Sequence, residues 1–98
     1  MTDAAADIRL KKLRFRAWHR GFREADLILG PFADARLDAM SATELDAFEA
    51  LIEHPDHDLY DWIVGRAEAP ESAAGPILER LREFRLNLPI ARGDGGGV

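Results

Sequence analysis

Apolar residues recur along this chain at intervals of three and four, the spacing that lines one face of an α-helix. Leu10, Leu13 and Ala17 fall on one side, with Lys11, Lys12, Arg14 and Arg16 mostly elsewhere, so a first helix capped by Asp7 is expected to run to about His19. Gly21 interrupts the pattern, and Phe22, Ala25, Ile28, Leu29 and Phe32 supply the stripe of a second helix. Gly30-Pro31 should break or kink that helix, because proline lacks the amide hydrogen and crowds the preceding turn, with a further helical stretch through Leu37 to about Met40. Ser41-Ala-Thr-Glu44 reads as a capping box, opening a third helix with Leu45, Phe48, Leu51 and Ile52 inward. Pro55 ends it. Asp56 or Asp58 is then expected to cap a short fourth helix carrying Leu59, Trp62 and Ile63, and Gly65 to stop it. After a connector over 66–75, Pro76 at a first helical position starts a fifth helix through Ile77, Leu78, Leu81 and Phe84. No alternating β-branched run occurs, and the one valine before the tail is Val64. The pattern predicts an all-α fold, a small bundle of about five helices over 8–88, between a flexible N-terminus (1–7) and a disordered tail (89–98).

Composition narrows the picture. The chain has 98 residues, 47% hydrophobic and 32% charged, enough for one folded domain with a modest core. It contains no cysteine, which excludes disulfides, thiolate metal sites and cysteine nucleophiles and fits a reducing compartment. No apolar run approaches the roughly 20 residues a bilayer requires. The start MTDAAADI has neither the layout of a secretory signal nor the arginines of a mitochondrial presequence, so a cytoplasmic protein without membrane insertion is expected. The net charge of −5 is unevenly spread. Residues 1–23 hold seven Lys/Arg against two acids, residues 24–62 hold Arg36 against eleven acids, and the remainder balances. Such a dipole can steer a partner, or it can be no more than solvated helix faces.

The stretch Trp18-His-Arg-Gly-Phe-Arg-Glu24 carries the sharpest local signal. Gly21 between two helices fits either a junction with unusual backbone angles or a spot where another chain approaches. Glu24, in the first turn of the second helix, favours the helix dipole, and Arg20 is near enough to reach it. Trp18 is either an interface anchor or a core residue. His19 has no hydroxyl or thiol nucleophile visibly paired with it, which argues against a catalytic base. The run Glu53-His-Pro-Asp-His-Asp58 with Asp61 offers metal-ligand types, but Pro55 breaks the spacing that would aim both histidines at one ion. The bases Arg9, Lys11, Lys12, Arg14 and Arg16 make a small helical DNA-binding regulator the alternative reading, against which stand the acidic middle and a sequence pI near 5.1.

The order RFRAWHRGFREADLILGPFA followed by LDAFEALIEHPDHDLYDWIVG closely resembles the small assembly factors that promote covalent FAD attachment to the flavoprotein subunit of succinate dehydrogenase. The resemblance covers about residues 9–66. That family's Arg-Gly-x-x-Glu motif corresponds to Arg20, Gly21 and Glu24, and its acidic-aromatic segment to Asp56, Asp58, Leu59, Tyr60 and Trp62. It implies a five-helix chaperone rather than an enzyme, one that binds no cofactor tightly and acts as a monomer. Its partner would be the succinate dehydrogenase flavoprotein, with the related fumarate reductase flavoprotein as a further client, and not nucleic acid. The partner would supply its own histidine, which bonds to the 8α-methyl of the flavin, while the factor holds the arrangement in which that step is fast. The implied docking face is Arg20, Gly21 and Glu24, with Arg16, Trp18 and His19 beside it and with Arg20 and Glu24 offering hydrogen bonds on either side of a side-chain-free Gly21. Trp62 and Tyr60 are read as braces of the core.

Overall fold

The computed structural model describes residues 4–88; the expected disordered tail lies outside the described residues. Five α-helices and one 3₁₀ turn follow in order: α1 Ala4–Trp18, α2 Arg23–Arg36 with a 3₁₀ turn at Leu37–Ala39, α3 Ala42–Ile52, α4 Asp56–Val64 and α5 Pro76–Leu86. No strand occurs among the described residues, and no helix there is long and apolar enough to cross a membrane.

The capping box forms as read. Ser41 Oγ accepts the Glu44 N–H at 3.1 Å, and Glu44 Oε1 accepts the Ser41 N–H at 2.9 Å. Pro76 starts α5, and Gly65 ends α4 in a left-handed C-cap. Three local expectations are corrected. Helix α1 begins at Ala4, so Asp7 sits in its first turn rather than capping it. Helix α4 has Pro55 rather than an aspartate at its N-cap, because Asp56 already lies in the helix and its carboxylate is committed to Arg20. Of the break or kink expected at Gly30-Pro31, the break does not occur: α2 is continuous, with Pro31 inside it. The interior proline removes one backbone hydrogen bond. Ile28, Leu29, Phe32 and Ala33, on both sides of it, are all buried and hold the helix to the core.

The core gathers residues from every helix. Phe32 of α2 stacks on Phe48 of α3 with centroids 5.8 Å apart and meets Phe84 of α5 edge-on at 5.5 Å. Leu13 and Ala17 of α1, Leu59, Trp62 and Ile63 of α4, and Ile77, Leu78 and Leu81 of α5 close around them. Even the 66–75 connector contributes, through buried Ala73.

Helix α1 lies between α2 and α3, fastened on both flanks by arginines. On one side Arg14 pairs with Asp38 at 2.6 Å and with Asp34 at 3.8 Å, while Trp18 Nε1 donates to Asp34 at 3.2 Å. On the other, Arg9 pairs with Asp46 and Glu49, and Arg16 with Glu49 and Glu53. Rising positions in α1 meet falling positions in α2 and rising positions in α3, so α1 runs antiparallel to α2 and alongside α3 in the same sense. Gly30 sets the approach of the α1–α2 pair: a Cβ there would fall inside the indole of Trp18.

Candidate functional site

The four residues between α1 and α2 make a corner, and Arg20 builds it. Its side chain is 9% exposed and all three guanidinium nitrogens are used. Nε donates to Asp56 Oδ1 at 2.6 Å, and the two terminal nitrogens donate to the carbonyls of Ile52 and His54 at 2.7 Å each. These carbonyls belong to the end of α3, where helical acceptors run out of intrahelical partners. A planar, permanently charged fork is suited to this three-way contact, which a lysine ammonium would not reproduce. The Arg20 backbone N–H donates to Asp26 Oδ1 at 2.9 Å, tying the junction to the first turn of α2.

Arg20 therefore does not pair with Glu24, nor do the two present themselves as matched outward charges beside Gly21. The side chain is committed within the fold, as a nearly buried strut. It joins the two sequence motifs, since Asp56 opens the acidic-aromatic segment. Rings complete the join. Phe22 packs on His57 at 4.4 Å and edge-on to Tyr60 at 5.2 Å, while His54 meets Trp62 edge-on at 5.0 Å.

Four residues of the motif region remain at the surface: His19, Gly21, Arg23 and Glu24 are exposed. Gly21 has φ +86°, in the left-handed region that disfavours side chains, and a Cβ built there would touch nothing within 4 Å. Of the two readings of this glycine, the backbone supplies a sufficient one; the open space above it leaves room for the other. The Glu24 side chain makes no hydrogen bond or ion pair among the described residues, and neither does that of Arg23. Trp18 is half-buried on Gly30, with its indole N–H donating to Asp34. Arg16 is engaged with Glu53 at 2.7 Å. Tyr60 and Trp62 pack against the core as read. Asp58 is exposed in the first turn of α4, and Leu59 is fully buried.

Asp26, Phe22 and His57 belong to the corner, a grouping the sequence pattern does not make: it places Phe22 on a helix stripe and His57 among metal-ligand types. Asp26 sits six positions after Arg20, a spacing with meaning only once the chain turns between them. The histidines of the Glu53–Asp58 run are taken up in ring contacts, and among the described residues no three potential metal ligands converge. The pairing of Arg9, Arg14 and Arg16 leaves Lys11 and Lys12 as the cations of α1 without an acidic partner among the described residues, a thin basis for phosphate binding.

Comparison with known proteins places these features in a lineage. The family described as flavinator of succinate dehydrogenase, Sdh5, matches residues 11–85. The chain is 45% identical over 75 residues to the FAD assembly factor SdhE of Acetobacter pasteurianus, covering 76% of this chain and 69% of that protein. It is 32% identical to the mitochondrial succinate dehydrogenase assembly factor 2 of Dictyostelium discoideum, covering 82% of this chain and 57% of the relative. The corresponding factor of Danio rerio is 34% identical, with 85% and 54% covered. The chain thus spans little more than half the length of these two mitochondrial relatives.

Proposed function

Because the chain belongs to the family of succinate dehydrogenase flavinators, we propose that it is an assembly factor that binds the flavoprotein subunit of succinate dehydrogenase and promotes covalent attachment of FAD to it. The observation that carries the reading to a place on the molecule is the corner itself. One nearly buried arginine fastens the end of α3 and the start of α4 to the α1–α2 junction, and Gly21 and Glu24 stand exposed beside it. A rigid scaffold that leaves one glycine and one unpartnered carboxylate at the surface suits recognition rather than chemistry.

In this reading the factor performs no bond-making step. The flavin and the histidine that receives it belong to the partner, and the factor contributes binding energy that favours one arrangement of the partner's FAD pocket. Glu24 accepts hydrogen bonds from donors on the partner, and Gly21 lets its backbone come close. The factor itself has no turnover, holds no flavin of its own and works as a single copy. The lack of cysteine and the kinship with a bacterial factor support a cytoplasmic location.

The test is covalent flavin fluorescence of the flavoprotein subunit on a denaturing gel, with the wild-type factor, without it, and with Glu24→Ala or Gly21→Arg. Covalent flavin is expected to rise with wild type and to fall back towards the factor-free level with either variant. Gly21→Arg also carries about 1–2 kcal/mol of left-handed backbone strain, so Gly21→Asn, which tolerates that conformation, separates strain from obstruction. Equal fluorescence in every lane would overturn the proposed function.

A further inference from the structure

Seen down its axis, α1 sorts its residues cleanly at 100° per position. Leu10, Leu13 and Ala17 face the core, Arg14 fastens one flank, and Arg9 and Arg16 fasten the other. What remains is an outer stripe of Ile8, Lys11, Lys12, Phe15 and His19. Ile8 is 53% and Phe15 64% exposed, two of the three large apolar side chains left at the surface among the described residues. They stand seven positions apart on one stripe, with the unpaired Lys11 and Lys12 between them. The Phe15 ring packs on His19 at 4.2 Å, which carries the stripe without a break to the Arg20–Glu24 corner.

We propose that this stripe extends the corner into a longer docking surface for the flavoprotein subunit, with Phe15 as the anchor entering an apolar recess rimmed by carboxylates that meet Lys11 and Lys12. The inference rests on the flavoprotein-binding reading above and adds to it the second half of the interface and the chemistry it selects. Continuity favours a protein partner, because one rigid face holds both an aromatic anchor and the exposed motif residues, as an interface centre and its polar rim require. A membrane is the poorer occupant. Two lysines at about 1 kcal/mol each give weak attraction to an anionic leaflet, and a chain of net charge −5 is repelled by it. Beside the stripe an open depression of about 360 Å³, walled by Ile8, Lys12, Arg16 and Glu49, leaves space for a partner side chain.

The experiment measures binding of the FAD-loaded flavoprotein subunit to wild type, Phe15→Ala, Lys11→Glu/Lys12→Glu and Glu24→Ala, with melting curves for each. Phe15→Ala is expected to weaken binding about tenfold or more, as truncation of an interface anchor does. The double charge reversal should slow association and flatten its salt dependence. Melting temperatures should stay close to that of wild type, with at most a few degrees lost in Glu24→Ala through the helix dipole, since these side chains are exposed. If both stripe variants bind as wild type does while Glu24→Ala binds weakly, the stripe is excluded and the assembly function stands. If wild type itself does not bind, the function fails and the stripe with it. Binding of wild type to phosphatidylserine vesicles that is lost in Phe15→Ala would reassign the stripe to a membrane and overturn the proposal.

Discussion

Truncating Arg20 removes three donors at once. Asp56, 26% exposed, would lose its charge partner, and the carbonyls of Ile52 and His54 would lose theirs. Hydrogen bonds to charged groups contribute more than neutral ones, and a half-buried charge left alone carries a desolvation cost. Arg20→Ala is therefore expected to destabilise the fold by about 3 kcal/mol, lowering the melting temperature by more than about 10 °C for a domain of this size. Arg20→Lys should recover only part of that, because one ammonium cannot address a carboxylate and two divergent carbonyls together. Thermal unfolding followed by circular dichroism checks both. An unchanged melting temperature in Arg20→Ala, with partner binding lost, would return Arg20 to the docking role that the family resemblance implies. Loss of flavinylation in a destabilised Arg20 variant thus reports the corner's integrity, whereas under the proposed function loss in a Glu24 variant reports contact.

At the scale of elements, the helices were legible because their signals are local. The Ser41–Glu44 box, Pro76 at the first turn and Gly65 at the C-cap each act within four residues of themselves, so each could be placed from sequence. What escaped the pattern was decided by distant packing. Pro31 sits within a continuous helix because both neighbouring turns are buried, and Gly30 serves Trp18 twelve positions earlier rather than ending a helix. Asp56 was legible as a helix-start residue but not as the partner of Arg20, thirty-six positions away. The same distinction separates the motif's visible spacing from its division into an interior arginine and an exposed glutamate.

The capping box also reaches beyond its own helix. Arg80 of α5 contacts Glu44 Oε2 at 2.7 Å, so one carboxylate starts α3 and ties it to α5. The Ser41 backbone N–H, and after it Arg80, hold the Glu44 carboxyl below its ordinary pKa. A carboxylate lowered in the folded state stabilises it fully above the unfolded value, and that contribution is lost as pH falls through the ordinary glutamate range towards the lowered one. Melting temperature should thus drop on acidification more steeply in wild type than in Glu44→Gln. The gap between the two, widest at neutral pH, should narrow below about pH 4. Parallel curves down to the acid limit would show that Glu44 carries no such linkage.

For the whole molecule, the uneven charge along the chain has an internal destination. The basic first segment and the acidic middle meet along α1 and the corner after it, where Arg9, Arg14, Arg16 and Arg20 take up acids of α2, the 3₁₀ turn, α3 and its C-cap, and α4. The dipole visible in the sequence is in large part spent within the fold, leaving Lys11, Lys12 and Arg23 as the positive groups of this region without acidic partners among the described residues. Exposed pairs contribute about 0.2–1 kcal/mol each and are screened by salt, with the Debye length shrinking from about 10 Å at 0.1 M to about 3 Å at 1 M. Raising sodium chloride over that range should therefore lower the stability of the isolated factor by about 1–2 kcal/mol, read as a fall of several degrees in melting temperature. The pair of Arg20 with Asp56, largely shielded from solvent, should persist through it. A melting temperature that holds or rises with salt would mean that the flanking pairs do not fasten α1, and that the basic segment is available for a partner after all. A fall confines long-range attraction to the three remaining cations, so under the proposed function the salt dependence of association with the flavoprotein should come from those cations, with apolar contact along α1 adding strength that salt does not screen.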